Sequence, residues 1–131
     1  MGFLKDRIWC WGYMLNKVPG SAPFTFEKTP RGLRGTELFL DEASVTATEH
    51  ILMVAAAASG TTIIRNAASE PHIRQLGEML IGMGAEISGL DSNTIKVKGC
   101  DNLHGTEVTV EGDHIEAASF IALAACTKSP I

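Results

Sequence analysis

The 131-residue sequence has few cysteines, no long apolar run and no excess of basic residues. Its three cysteines, Cys10, Cys100 and Cys126, are widely spaced and form no CxxC or CxxH pair. This pattern excludes a disulfide framework and a typical zinc site, and it indicates a reducing compartment. The longest apolar run, residues 51–58, has eight residues, whereas a bilayer span needs about 20. We therefore expect a cytoplasmic protein without a membrane span or a metal.

The charge balance excludes nucleic-acid binding as the main function. Eleven Lys and Arg residues stand against fifteen Asp and Glu residues, which gives a formal net charge of −4, and no basic stripe is present. A nucleic-acid-binding face is normally marked by clustered positive charge. The hydrophobic fraction of 45% is enough for an ordinary globular core.

Aromatic residues are also few, and they are concentrated at one end. Six of the eight aromatic residues and three of the five prolines lie in residues 1–30. This stretch shows no sustained period, which is typical of weakly structured chain. We predict an irregular lead-in of uncertain origin over residues 1–30.

Regular periodicity begins after residue 30 and predicts an α/β unit over residues 31–102. Alternating or β-branched segments predict strands, and an alanine-rich run and a segment with apolar residues three and four apart predict helices. The predicted order is β-α-β-α-β-β, with strands over 33–40, 61–67, 85–88 and 94–98 and helices over 44–59 and 70–84.

The chain then repeats itself with a period of 70 residues. Residues 33–37 (LRGTE) match residues 103–107 (LHGTE) at four of five positions, and apolar positions stay in phase afterwards. A repeat of this length is a supersecondary unit. Residues 103–131 are therefore predicted to form the first strand and helix of a second unit. The helix around 116–126 is apolar on nearly every face, so we expect neighbours for it and a longer parent protein.

The junction between the first strand and the first helix is the most suggestive local feature. Free backbone N–H groups and the helix dipole favour a phosphate at such a junction, and Ser44, Thr46 and Thr48 add hydroxyls there. The alternative is a capping box, in which Thr46 pairs with Glu49. Asp113 and Glu116 repeat the capping spacing at the next helix.

The other polar residues fit structural roles at least as well as chemical ones. His50, His72 and His104 lack metal-ligand spacing, and an acid–base pair of Asp113 with His114 is disfavoured because adjacent side chains at a helix start point apart. A turn-stabilising network is expected for the polar cluster Arg65, Asn66, Ser69, Glu70 and His72.

The segment from residue 31 to about 128 resembles the enolpyruvyl transferases, in particular UDP-N-acetylglucosamine 1-carboxyvinyltransferase. The resemblance rests on the motifs SVTATE, GTTIIRNAASEPHI, MGAEISG and DHIEAASF taken together. It implies β-α-β-α-β-β units that assemble into an inside-out α/β barrel. It also implies transfer of enolpyruvate from phosphoenolpyruvate to the sugar 3′-hydroxyl in peptidoglycan synthesis, without a metal or organic cofactor.

The resemblance also implies roles for particular residues. The segment that would lie against the UDP-sugar comprises Glu42, Ala43, Ser44, Val45 and Thr46, and Asp113 and His114 would lie where the chain passes between domains. Residues 1–30 match neither the family's Gly-Gly-Cys loop nor its Lys-Asn pair, so we expect no catalytic residue in this chain and no turnover by the chain alone.

Two other functions stay open at this point. One is a non-catalytic module that binds the UDP-sugar or self-associates through its exposed apolar helix. The other is a relative of 3-phosphoshikimate 1-carboxyvinyltransferase, which is built from the same units.

Overall fold

A computed structural model of the chain describes residues 13–15, 26–28, 30 and 32–130. The elements in chain order are β1 (Tyr13–Leu15), β2 (Phe26–Lys28), β3 (Glu37–Phe39), α1 (Val45–Ala56), β4 (Thr61–Arg65), α2 (Pro71–Gly82), β5 (Glu86–Ser88), β6 (Thr94–Lys98) and α3 (His114–Thr127). The six elements from β3 to β6 have the predicted β-α-β-α-β-β order, which confirms the α/β fold class.

These four strands form one mixed sheet in the order β3-β4-β6-β5. β3 and β4 are parallel, as expected for strands joined by a crossover helix. β6 is antiparallel to both β4 and β5. The carboxyl ends of β3 and β4 therefore lie at one edge of the sheet, and both chain segments that lead into α1 and α2 start there.

The core lies between this sheet and the two helices. Side chains alternate along β4 and β6, so that Ile64, Ile95 and Val97 face the helices and are fully buried. Leu52 from α1 and Ile73 from α2 are equally buried against them. α1 is buried on one face only, since Met53 on the same helix is 45% exposed.

The stretch predicted as an irregular lead-in contains two strands. β1 and β2 pair antiparallel, with Tyr13 opposite Lys28 and Leu15 opposite Phe26. Aromatic residues favour strands, and in the sequence Pro19 and Pro23 fall between the two strands rather than within either one. Each strand has only three residues, which is too short to show an alternating pattern in the sequence.

The second copy of the repeat forms a helix without a sheet. α3 starts at His114 as the repeat predicts, but residues 102–113 form no β-ladder. A strand needs a partner for its backbone groups, and the described residues offer none to this segment. It runs beside α2 instead, where the His104 amide donates to the Met83 carbonyl at 3.0 Å and the Gln75 side chain donates to the Thr109 carbonyl at 3.2 Å.

No helix in the described part of the chain combines the length and apolar character needed to cross a membrane.

Candidate functional site

The predicted substrate segment forms the turn into α1. Glu42 and Ala43 are exposed, Ser44 is the N-cap, and Val45 and Thr46 are the first two helical residues. The first backbone bond of the helix runs from the Thr48 amide to the Ser44 carbonyl, at 3.0 Å. The amides of Val45 and Thr46 lie ahead of it and have no partner within the helix. This end of α1 can therefore donate to an anion.

The cap differs from the predicted capping box. The Ser44 hydroxyl, not that of Thr46, accepts from the Ala47 amide, at 3.4 Å. The Thr46 hydroxyl lies 3.5 Å from the Ser44 hydroxyl and is exposed. Ser44 takes the cap position because its backbone is extended, with φ −78° and ψ 125°, whereas Thr46 is already helical. Both hydroxyls are therefore at the helix start and can donate outward.

A buried hydroxyl fixes this turn to the sheet. Thr48 donates to the Ser44 carbonyl at 2.8 Å and accepts from the Ala68 amide at 3.0 Å. Asn66 also fixes it, since its side chain donates to the Leu40 carbonyl at 2.9 Å. Asn66 has a positive φ of 57°, a conformation that asparagine tolerates well. Asn66, a member of the polar cluster after β4, thus joins the chain after β4 to the chain after β3 and has a structural role.

Asp113 and His114 lie in a second region, at the start of α3. The imidazole rings of His72 and His114 stack with centroids 5.5 Å apart and planes 16° apart. His72 Nε2 lies 4.0 Å from Glu49 Oε1. These side chains border a cleft of about 420 Å³ that is also lined by Gln75, Val110 and Glu111. Glu49 is on α1, four residues after Val45, and it lines this cleft. The cleft therefore adjoins the helix that begins at the predicted substrate segment.

Asp113 acts as the N-cap of α3. Its Oδ1 accepts from the amides of Ile115 at 2.8 Å and Glu116 at 3.2 Å. The bonds from the Glu116 and Ile115 amides, followed by the nearby imidazoles of His114 and His72, hold the pKa of Asp113 below its usual value of 3.8. The structural role predicted for Asp113 is thus observed.

The remaining candidate residues are possible metal ligands and the three cysteines. Within residues 32–130, no group of three His, Cys, Asp or Glu side chains is arranged to hold a metal ion. Cys100 is half-buried, whereas Cys126 is exposed. Cys126 lies on α3, which has no buried residue. Cys10 lies outside the described residues.

Comparison with known proteins identifies the family. The family model for EPSP synthase (3-phosphoshikimate 1-carboxyvinyltransferase) matches residues 15–131. The chain belongs to the EPSP synthase family. The match to this family starts at residue 15 and so includes part of the stretch predicted as a lead-in.

Relatives within the EPSP synthase family carry a more specific name. UDP-N-acetylglucosamine 1-carboxyvinyltransferase from Treponema denticola is 54% identical over 99 residues, which are 76% of this chain and 23% of the relative. The enzyme of the same name from Bacteroides thetaiotaomicron is 54% identical over 106 residues, 81% of this chain and 24% of the relative. The chain thus spans about a quarter of the length of these relatives.

Solved structures of the EPSP synthase family have the same fold. EPSP synthase from Acinetobacter baumannii matches with a TM-score of 0.67 and 26% identity, covering 95% of this chain and 27% of that one. The enolpyruvyl transferase NikO from Streptomyces tendae matches with a TM-score of 0.69 over 91% of this chain and 30% of that one. At 20% identity the latter supports the fold alone. The enolpyruvyl transferase fold predicted from the sequence is confirmed.

Sequence reasoning missed the contact between His72 and His114. The two residues are 42 positions apart and lie in different copies of the repeat. No spacing rule links them, and only the path of residues 103–113 beside α2 brings them together.

Proposed function

We propose that this chain is the part of a UDP-N-acetylglucosamine enolpyruvyl transferase that contacts the UDP-sugar, through residues 42–46 at the start of α1. The identity of 54% to two enzymes of that name supports the sugar-nucleotide branch over the shikimate branch. We propose the cytoplasm as its compartment and peptidoglycan synthesis as its process.

The observation that carries the proposal is the open N-terminus of α1. The free amides of Val45 and Thr46, the hydroxyls of Ser44 and Thr46 and the positive end of the dipole suit a diphosphate. The helix has 12 residues, with no acidic residue in its first turn. Glu42, whose charge would oppose a diphosphate, is exposed and so can remain in solvent.

In the proposed reaction the sugar 3′-hydroxyl loses its proton and adds to C2 of phosphoenolpyruvate, while C3 gains a proton. The tetrahedral adduct then loses a proton from C3 and inorganic phosphate from C2, which regenerates the double bond. In this scheme the α1 junction binds and orients the sugar nucleotide, and the groups that transfer protons lie elsewhere in the whole enzyme. We therefore infer that the chain alone binds the sugar nucleotide without releasing phosphate from phosphoenolpyruvate.

Isothermal titration with UDP-N-acetylglucosamine tests the proposal. Thr46→Asp places a carboxylate among the free amides, where the helix dipole tolerates it, so the fold should persist while binding weakens about tenfold or more. Glu42→Gln removes a negative charge that would oppose the diphosphate, so binding should be tighter or unchanged. Equal affinity in both variants and the parent would overturn the assignment of the site.

The shikimate alternative is separated by the ligand. Titration with shikimate 3-phosphate should give at least tenfold weaker binding than UDP-N-acetylglucosamine, and the reverse order would favour the shikimate branch. A phosphate-release assay on the purified chain is the matching test for catalysis. UDP-sugar-dependent release would contradict a purely binding role.

A second candidate function is assembly through α3. Four large apolar side chains of this helix are more than half exposed, namely Ile115, Phe120, Ile121 and Leu123. Apolar surface of this kind marks an interaction face, and we propose that a second copy of the chain covers it. Sedimentation velocity should show a dimer that Phe120→Ser and Ile121→Ser together dissociate, while a monomeric parent would exclude assembly.

A further inference from the structure

The segment that leads into α3 carries backbone groups without partners. Residues 105–112 are all exposed, and none of their amides donates to a backbone carbonyl of a described residue. The segment is held beside α2 by the Gln75 side chain, which donates to the Thr109 carbonyl at 3.2 Å. Unpaired amides of this kind are the groups through which a sheet edge recruits a further strand.

The internal repeat shows which interactions this segment lacks. Residues 106–110 are the counterparts of residues 36–40, which include β3. In the first copy the Leu40 amide donates to the Arg65 carbonyl at 3.0 Å, and β3 runs parallel to β4. The counterpart of the Leu40 amide is that of Val110, which has no such acceptor among the described residues.

The space for a neighbouring strand is open in the second copy. A Cβ on Gly35 would overlap the backbone of Thr61 at the start of β4, whereas a Cβ on Gly105 would meet nothing within 4 Å. The position that β4 fills beside the first copy is therefore accessible beside the second.

The charge of the segment indicates the side chains that suit it. Glu37 of β3 forms an ion pair with Arg65 of β4, and the counterpart of Glu37 is Glu107. No ion pair joins Glu107 to a described residue. Residues 105–112 also contain Glu111 and no basic residue. A neighbouring strand should therefore carry a positive charge close to Glu107.

We propose that residues 106–110 accept a parallel β-strand from another polypeptide, a strand with β-branched side chains and an arginine that pairs with Glu107. The repeat gives the register. Glu37 lies opposite Ile63, and Arg65 follows two residues later on β4. The arginine of the added strand therefore lies two residues beyond the residue opposite Glu107.

The added strand and α2 use different backbone groups of the segment. In a parallel ladder, alternate residues bond to one neighbour, so the amides of Val108 and Val110 face the added strand. Thr109, whose carbonyl already accepts from Gln75, is not one of them. The same segment of a second copy is a poorer partner, because its carboxylates would bring like charges into the ladder.

Residue-resolved hydrogen exchange on the full chain tests the proposal, with the capped peptide SGTTIIRNA, the sequence of residues 59–67, as the probe. At about ten times the Kd of the peptide, exchange of the Val108 and Val110 amides should slow about tenfold. Exchange of the Glu107 and Thr109 amides should change less than about twofold, because these amides point away from the added strand.

Three outcomes would overturn the proposal. The first is an absence of protection at about 1 mM peptide, the weakest affinity compatible with a specific site. The second is protection of the Glu107 and Thr109 amides in place of those of Val108 and Val110. The third is protection that appears without peptide and rises with chain concentration, which would assign the edge to a second copy.

A charge swap tests the pairing with Glu107. The peptide with Arg65→Glu should bind roughly three- to tenfold more weakly, because an attraction becomes a repulsion at an exposed pair. Glu107→Arg in the chain should restore the binding of this altered peptide. The matched control is Glu111→Arg, which adds the same charge at the other carboxylate and should not restore it. Equal restoration by the two variants would contradict the proposed register.

Two variants at Val110 separate the backbone contact from the side chain. Val110 is 81% exposed, so its replacement should not disturb the fold of the chain. Val110→Pro removes the amide that bonds to the added strand and should weaken binding at least about tenfold. Val110→Ala keeps that amide and should bind within about threefold of the parent. Equal affinities of the two variants would contradict strand addition.

Discussion

The Thr48 hydroxyl of α1 accepts a hydrogen bond from the Ala68 amide at 3.0 Å, 20 residues further along the chain. The same hydroxyl donates to the Ser44 carbonyl at 2.8 Å. Thr48 is fully buried, and its two bonds hold the start of α1 against the turn between β4 and α2. The N-terminus proposed to bind the UDP-sugar is positioned by this hydroxyl.

Thr48→Val should destabilise the chain by about 1–3 kcal/mol, because the buried Ala68 amide loses its partner. Urea unfolding followed by circular dichroism measures the free energy of unfolding. The matched control is Thr62→Val, since the Thr62 hydroxyl is equally buried and has no partner among the described residues. That control should be neutral or stabilising, and equal losses in the two variants would contradict the role of Thr48.

The repeat supplies a matched pair of glycines for a second prediction. A Cβ on Gly35 would overlap the backbone of Thr61, while a Cβ on Gly105, its repeat counterpart, would meet nothing within 4 Å. Gly35→Ala should therefore lower the midpoint of urea unfolding, with a cost of about 1–3 kcal/mol. Gly105→Ala should leave the midpoint unchanged, and a loss there as large as at Gly35 would show that residue 105 is packed.

Core packing gives a third prediction, which compares a leucine on α1 with a leucine on α3. Leu52 on α1 is fully buried, and Leu123 on α3 is 56% exposed. Leu52→Ala should cost about 2–5 kcal/mol because it leaves a cavity. In the monomer, Leu123→Ala should change the free energy of unfolding by less than about 0.5 kcal/mol. Chemical denaturation of the dilute, monomeric chain measures both, and a large cost at Leu123 there would mean that α3 is covered within a single chain.

The cap of α3 gives a prediction about pH. Bonds from the Glu116 and Ile115 amides lower the pKa of Asp113, so the folded helix favours the charged carboxylate. Its stabilising effect is therefore present above the usual pKa of 3.8 and is lost as the pH falls through the lower folded value. Carbon chemical shifts of residues 115–117 should show fraying of α3 below about pH 4.

Asp113→Asn is the control for this effect, because asparagine also caps helices but does not titrate. In this variant the first turn of α3 should show no acid-dependent loss of helical structure that is attributable to residue 113. Fraying of the same size in the parent and in Asp113→Asn would mean that another group is responsible.

The sequence predicts the β3 to β6 unit well because each element has a clear local signal. α2 combines Pro71 at its start with buried Ile73 and Leu80 at helical spacing, and Thr61–Arg65 alternates in burial as a strand should. Local signals of this kind decide where elements begin. They failed for β1 and β2, whose three-residue strands depend on pairing with each other.

The candidate sites depend more strongly on contacts distant in sequence. The position of residues 42–46 at a helix start follows from local pattern, but the anchoring of that start by Ala68 and Asn66 does not. The strand predicted at the start of residues 103–131 has no partner among the residues that the structure describes, and this segment lies along α2. That path brings His114 to His72, a contact that no property of either segment alone predicts.

Residue-resolved NMR titration of the chain with UDP-N-acetylglucosamine tests the central claim most directly. The account predicts the largest amide shift changes at Val45 and Thr46, with smaller ones at Ser44 and Ala43, and predicts that Thr46→Asp suppresses them. Saturating UDP-N-acetylglucosamine without shifts in residues 42–48, or with its largest shifts on α3, would contradict it.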